Sequence, residues 1–453
     1  MVGWGSARCA TQAWHDSSLV NDPPGLNSPA RRFGRISLAP GFRPSHAVTY
    51  LYAAFITVGL FAFVSYMQPY LLTVNLALPA NQQGRTVSAL NFANELLALC
   101  LVAPFGALAD KIGRRSVYAF GFLWLGAGFV LYPMARSVPQ LAGCALFFSV
   151  GVAAIGTMLG TVLADTPGEE SRGRLVGLTG FCQGLGAAVL VLLLGRLPKR
   201  LADSGIDALV AGQMTMWLAA ALCAVSSVVV FVGLKRGTPS VRAPAMPLKL
   251  ILADGIAAAR RNPRLWFACL LQFGSFGDRV VLGTFFSLRL QQAWLERNVS
   301  MAEAAARARL PFVAAMVAGL ITALIAGWLL DRVDRLRVGV VAMALAAAAY
   351  LLCGFVEDPT RDALLAAVAM LLGAGQIAAI IAGQTLLGQE APRDVRGAVL
   401  GLAGICASAG ILFTNAFGGW LYDSVSRGGP FFLLAGVNFA IFVFGVVLAG
   451  RKA

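Results

Sequence analysis

Gly106-Ala-Leu-Ala-Asp110-Lys111-Ile-Gly113-Arg114-Arg115 lies between two long apolar runs. The run before it, 86–109, is long enough to cross a bilayer as a helix, and so is the run after it, 116–134. A link this short makes the two helices a tight antiparallel pair. Gly106 and Gly113 allow their backbones to approach closely. Asp110, Lys111, Arg114 and Arg115 then stand at a water-facing edge, where their charges stay solvated.

The same alternation runs through the chain. Of 453 residues, 58% are hydrophobic and only 13% are charged, against about 25% charged in a soluble domain. The apolar excess comes in blocks of roughly 20–25 residues, the signature of a helical membrane protein. Twelve spans are expected: 48–72, 86–109, 116–134, 139–163, 175–197, 209–234, 265–288, 311–330, 338–356, 363–387, 398–422 and 431–449. Residues 1–47 are polar and read as a disordered tail. Residues 235–264 form the longest polar break and divide two six-span halves, 48–234 and 265–450. Within that break, 248–261 has helical apolar spacing and is expected to lie along the membrane surface. Ser300-Met-Ala-Glu303 reads as a capping box opening a short helix of its own before the eighth span.

The net charge is +15, and its placement argues against nucleic acid. With the 106–115 link on one side, 24 Lys and Arg residues fall on links of that parity and ten on the others. The positive-inside rule makes the richer side cytoplasmic, with both termini on it. The basic balance therefore concerns topology and lipid headgroups. The eight cysteines form no C-x-x-C pair and read as free apolar thiols, and the two histidines precede the first span. No metal, cofactor or catalytic cluster is expected, so the chain does not read as an enzyme.

The halves repeat each other. Gly106–Lys111 corresponds to Gly327-Trp-Leu-Leu-Asp331-Arg332, and the eleven residues from Arg172 to Cys182 match those from Arg396 to Cys406 at six positions. The offsets are nearly equal, 221 and 224 residues. The 106–115 stretch resembles the signature loop of the major facilitator superfamily of secondary transporters, which joins the second and third helices. The resemblance implies an all-α fold of two pseudo-symmetric six-helix bundles, acting as a monomer in the cell inner membrane. It also implies an inner-gate charge network of Asp110, Arg114, Arg115, Asp165, Arg172, Asp331, Arg332 and Arg396. There Asp110 would meet the helix start near Gly397, and Arg114 would reach Asp165.

Glu95, Asp278 and Arg279 fall within or close to the spans, where charge costs several kcal/mol without a partner. Counted along a helix, Glu95 lies about 22 Å and Asp278 about 21 Å from the basic edge, so they share a level. Asp278 and Arg279 point about 100° apart, so one must look elsewhere. Arg279 is expected to pair with Glu95 across the halves, and Glu95 or Asp278 to carry a proton. Tyr66, Gln68, Gln183, Gln272, Gln376 and Gln384 are the expected cavity-facing polar residues. The function read from this pattern is movement of a small organic solute by alternating access, coupled to protons. The rival is a receptor or scaffold that keeps the fold without transport. Span 5 lacks a Gly-Pro element and span 4 lacks an arginine, which weakens a multidrug-antiporter reading.

Overall fold

The computed structural model describes residues 32–34, 36–168, 171–237, 248–330, 332–392 and 395–450, with the side chains of 172 and 248–252 excluded. Twelve helices are long and apolar enough to cross a membrane. In chain order the helices are α1 (Pro44–Val74), α2 (Ala80–Ile112), α3 (Arg114–Leu131), α4 (Val138–Asp165), α5 (Arg172–Leu194), α6 (Leu197–Asp203) and α7 (Ala208–Gly233). They continue with α8 (Leu248–Arg261), α9 (Pro263–Val280), α10 (Ser287–Leu295), α11 (Met301–Leu330), α12 (Arg335–Phe355), α13 (Asp362–Glu390), α14 (Arg396–Ser424) and α15 (Gly429–Gly450).

Helices α1–α7 pack among themselves and α9–α15 among themselves. The two bundles meet through α2 against α14 and α5 against α11. The two pairings are related by the repeat, because α2 corresponds to α11 and α14 to α5, so each contact is the pseudo-symmetric counterpart of the other. The connector helix α8 lies on the start of α14, with Gly255 against Ala398 and Leu402.

Most of residues 1–47, expected to be disordered, lies outside the described residues, but its end is ordered. A two-stranded hairpin, β1 (Arg32–Phe33) and β2 (Ile36–Ser37), rests on the α4–α5 link. The Ser37 N–H donates to Ser171 Oγ (2.9 Å), and the Gly168 N–H donates to the Ser37 carbonyl (2.9 Å). The first helix starts four residues earlier than expected. Pro44 suits the first helical turn, where no N–H partner is needed, and His46 Nδ1 accepts the Arg43 N–H (3.1 Å).

The seventh span also runs past its expected end at 288. It passes through a π-helical segment, Val281–Phe286, and continues as α10 to Leu295. Arg289, Gln291 and Gln292 made this stretch read as a link, yet all three are buried. Their polar groups find partners: Arg289 donates to the Cys353 (2.7 Å) and Gly354 (3.3 Å) carbonyls that end α12. The separate helix expected at Ser300 is absent, since α11 is continuous from Met301 through Pro311. Ser300 does cap it, accepting the Glu303 N–H (3.3 Å).

One glycine in each bundle marks a close helix contact. A Cβ on Gly186 of α5 would collide with the Phe55 carbonyl of α1, and one on Gly410 of α14 with the Phe273 carbonyl of α9. These glycines are 224 residues apart, the offset of the repeat. Further along the same helices, toward the 110–115 link, Gly173, Gly177, Gly180, Gly397 and Gly404 face open space. One face of α5 and of α14 is thus clasped to a neighbour beyond mid-membrane and opens toward the basic side, where other faces stay packed, that of α14 against α8.

Candidate functional site: a cleft closed at one face

Call the side bearing the 110–115 link the basic face. Every hydrogen bond and ion pair between the bundles, among the described residues, lies at mid-membrane or toward the opposite face. Tyr66 is central to this closure. Pro69 removes a rung from α1 and bends it, and one turn earlier the Tyr66 carbonyl accepts from Ser287 Oγ (3.1 Å) and Gln291 Nε2 (3.0 Å). The Tyr66 hydroxyl donates to the Ala305 carbonyl. Gln292 donates to Gln83 (3.0 Å), and Lys199 pairs with Glu303 (2.9 Å).

The strongest closure joins α14 to α2. Asp423, in the last turn of α14, accepts the backbone N–H groups of Gly84 (3.0 Å) and Arg85 (2.7 Å) near the start of α2. A carboxylate near a helix N-terminus is favoured both by the dipole and by direct hydrogen bonds. The Arg85 guanidinium reaches Ser424, and Gly419 lies against Gly84 and Ser88 without room for a Cβ.

At the basic face the same helix pair is apart. Asp110 does not meet the start of α14. It accepts instead from Arg114 one turn on (3.0 Å), and nothing stands within 4 Å of where a Gly397 Cβ would be. Arg114 also pairs with Asp165, tying the 110–115 link to the end of α4. Arg115 lies over the Phe231 ring (4.6 Å) and Arg332 over Trp328 (3.9 Å), so both are occupied within their own bundles. Arg396 opens α14 and is exposed; Arg172 opens α5. The side chain of Arg172 and all of Asp331 fall outside the described residues. The sequence reading missed a second network: Arg264 pairs with Glu390 (3.1 Å) and Asp334 (3.2 Å), and Asn262 donates to Glu390 (2.8 Å). Its members lie far apart in sequence and share no motif, so no local signal marks them.

Midway between the faces the three intramembrane charges separate. Asp278 is fully buried inside the second bundle, where its carboxylate accepts from Asn438 (2.9 Å) and its carbonyl accepts from Tyr350 (2.8 Å). Arg279 turns the other way. It is exposed, with its guanidinium over the Phe276 ring (4.8 Å), on the side facing the other bundle's Glu95. Glu95 on α2 lies within charge–charge range of Arg279, but the two form no ion pair; Ser408 of α14 lies beside Glu95. Asp278→Asn is therefore expected to leave the melting temperature unchanged or raise it, since an amide matches Asn438 without a buried charge. Asp278→Leu is expected to lower it by orphaning the Asn438 amide. Thermal melts of the two variants in one detergent check this.

Three of the six expected cavity residues are helix contacts here. Tyr66 belongs to the closure just described. Gln68 donates to Asn91 and Tyr132 (3.3 Å each) inside the first bundle, and Gln272 wedges beside Gly383 and donates to the Ile380 carbonyl (3.5 Å). Gln376 is buried, Gln183 is half-buried beside the α5–α11 contact and Gln384 is exposed. Amides at mid-span read alike in sequence whether they face water or a neighbouring helix, so the pattern could not separate them.

The chain matches the Major Facilitator Superfamily over residues 58–302 and 268–453. It belongs to that superfamily. Among solved structures it is similar to the nucleoside transporter NupG, with a TM-score of 0.69 and 14% identity over 88% of this chain and 99% of that one. Over nearly its whole length it is similar to the magnetosome protein MamH of Paramagnetospirillum magneticum, 26% identical over 421 residues, 90% of this chain and 93% of MamH. The magnetosome protein MamZ of Magnetospirillum gryphiswaldense is 24% identical over 81% of this chain, which spans 57% of MamZ. A shorter likeness, 34% over 83 residues, joins it to the riboflavin transporter RibZ of Clostridioides difficile, at 18% of each chain. As a superfamily member with twelve apolar helices, this is a multi-pass membrane protein.

Proposed function

We propose that this superfamily protein moves a small organic solute by alternating access, coupled to protons. One observation carries the reading: the bundles are bonded together toward one face, while at the other Asp110 stays with Arg114 and the start of α14 at Gly397 meets open space. A static scaffold gains nothing from a solvent-reachable arginine held mid-membrane, where such a charge costs several kcal/mol. The positive-inside rule makes the basic face cytoplasmic, so this is the inward-open state of a monomer in the cell inner membrane, with both termini inside. In the outward-open state Asp110 would turn from Arg114 to the α14 N-terminus. The two bundles, 48–234 and 265–450, joined by the 235–264 connector, would rock about a pocket at mid-membrane. Glu95 is the proton carrier, because it lines the cleft whereas Asp278 is enclosed.

Flux of radiolabelled solutes into proteoliposomes, with and without a pH gradient, tests this. Glu95→Gln is expected to keep counterflow of the solute and to lose acceleration by the gradient. Equal gradient dependence in both proteins would remove Glu95 from the coupling. No flux of any solute in the wild type would favour the scaffold.

The near full-length likeness to MamH supports a second reading of where the protein acts, as a magnetosome protein. Expression in a Paramagnetospirillum magneticum strain lacking MamH tests it, and failure to restore what the deletion removes would count against it.

A further inference from the structure

Among the described residues, Arg279 forms no ion pair and its guanidinium has no hydrogen-bond acceptor, although Glu95 comes within charge–charge range. Neither nearby carboxylate bonds to it. Glu95 comes within charge–charge range without forming an ion pair, and Asp278, next in sequence, is turned into the second bundle against Asn438. Arg289, also in the seventh span, spends its donors on the carbonyls that end α12. Among the described residues the guanidinium N–H groups of Arg279 have no hydrogen-bond acceptor. Its contact is the Phe276 ring, which lies one turn back on the same helix. That contact fixes the guanidinium plane and leaves its edge, the fork of parallel N–H donors, free toward the cleft.

A fork of this kind matches two oxygens of a carboxylate or a phosphate, and in a low-dielectric cleft such a pair is much stronger than in water. We propose that Arg279 anchors the oxyanion group of the solute, and that the solute is a small organic anion. This rests on the transporter reading and names its substrate class. A neutral solute would leave Arg279 unmatched through the crossing, and a cationic one would meet repulsion. Glu95 completes the site. With Glu95 ionised, the cleft already holds one negative charge opposite Arg279, and an arriving anion would make two. Protonation of Glu95, then donating to Ser408 or to the solute, removes that excess, so anion and proton enter together.

The test uses full-length protein in nanodiscs and four probes: succinate for the carboxylate arm, glycerol 3-phosphate for the phosphate arm, and myo-inositol and uridine as neutral arms. The readout is the rise in melting temperature with probe concentration at pH 6 and pH 8. One anion arm is expected to stabilise the wild type, more strongly at pH 6, with no response to the neutral probes. Arg279→Gln is expected to raise the half-maximal concentration at least about tenfold, and Arg279→Lys to keep part of the response. The double variant Glu95→Gln/Arg279→Gln, which removes both charges together, guards against misfolding of the single one and is expected to bind neither anion. The arm that responds decides between carboxylate and phosphate. A wild type that ignores both anions to tens of millimolar, or a response that survives Arg279→Gln, overturns the proposal. Gradient-driven flux of a neutral probe would sink the anion and leave the transporter reading standing. Anion binding without flux would do the reverse.

Discussion

Asp423→Ala is expected to unfasten the face opposite the basic one. The carboxylate accepts two backbone N–H groups of α2 at 3.0 and 2.7 Å, across a sequence separation of more than 300 residues. Hydrogen bonds to a charged group contribute about 1.5–3 kcal/mol each when shielded from water. Asp423 is only half-buried, so about 2 kcal/mol for both is a sober figure. That still shifts a two-state balance by more than tenfold, because about 1.4 kcal/mol corresponds to a factor of ten. The closed arrangement should therefore lose its dominance. Asp423→Asn, which keeps one acceptor oxygen without the charge, should fall between.

Deuterium uptake reads this directly. Peptides covering 80–90 and 287–295 should exchange faster in Asp423→Ala, since the Gly84 and Arg85 amides lose their acceptor and Gln291 and Gln292 lose their closed seat. Peptides over 105–118 and 396–402 should exchange more slowly if the basic face closes in return. Asp110→Ala should push the other way, because the proposed partner of Asp110 is the N-terminus of α14 in the opposite state. The antiparallel pair α2–α14 carries an acid near the end of each helix: Asp423 meets the start of α2 here, and in the proposed opposite state Asp110 would meet the start of α14, so the two latches would not close together. Unchanged uptake at both ends in Asp423→Ala would show that the latch is ornamental. Equal signs for Asp423→Ala and Asp110→Ala would break the reciprocity.

The spans were legible in the sequence because lipid imposes a length and a hydropathy on every crossing helix. The Arg114–Asp165 tie was legible through the 106–115 motif, whose geometry travels with it. Asp423 was not legible. It is a single acid in a helix end, and its partners are backbone amides of a distant helix, which leave no trace in residue type. The seventh span was cut short for a related reason. Hydropathy counts Arg289, Gln291 and Gln292 as polar, whereas the fold supplies each with a carbonyl or an amide and buries it. Hydropathy cannot see a partner. The separation of Asp278 from Arg279 was legible as geometry, since neighbours on a helix point about 100° apart, but which of them turned to the cleft was not.

Gly186→Ala and Gly410→Ala are expected to give the largest losses of folded protein. Their signal was within reach of the repeat. Carrying the Arg172–Cys182 and Arg396–Cys406 alignment four residues further pairs Gly186 with Gly410, and a glycine kept in both copies inside a helix, where it is unfavourable by about 1 kcal/mol against alanine, asks for a steric reason. The structure supplies it. A methyl at either site would strike a backbone carbonyl of the neighbouring helix, Phe55 or Phe273. A backbone oxygen cannot rotate away as a side chain can, so the helices must part. In a membrane, where close van der Waals contact between helices takes over much of the role of hydrophobic burial, parting removes the interaction itself. Overpacking costs about 1–3 kcal/mol, occasionally more, and at these sites it should exceed the gain in helix propensity. Gly180→Ala and Gly404→Ala lie on the same two helices and meet open space, so there the propensity gain stands alone. Melting in detergent, followed by fluorescence-detected size exclusion, should show a fall of several degrees for the first pair and a small rise for the second. If all four variants melted alike, the clasp at Gly186 and Gly410 would not be what holds α5 to α1 and α14 to α9.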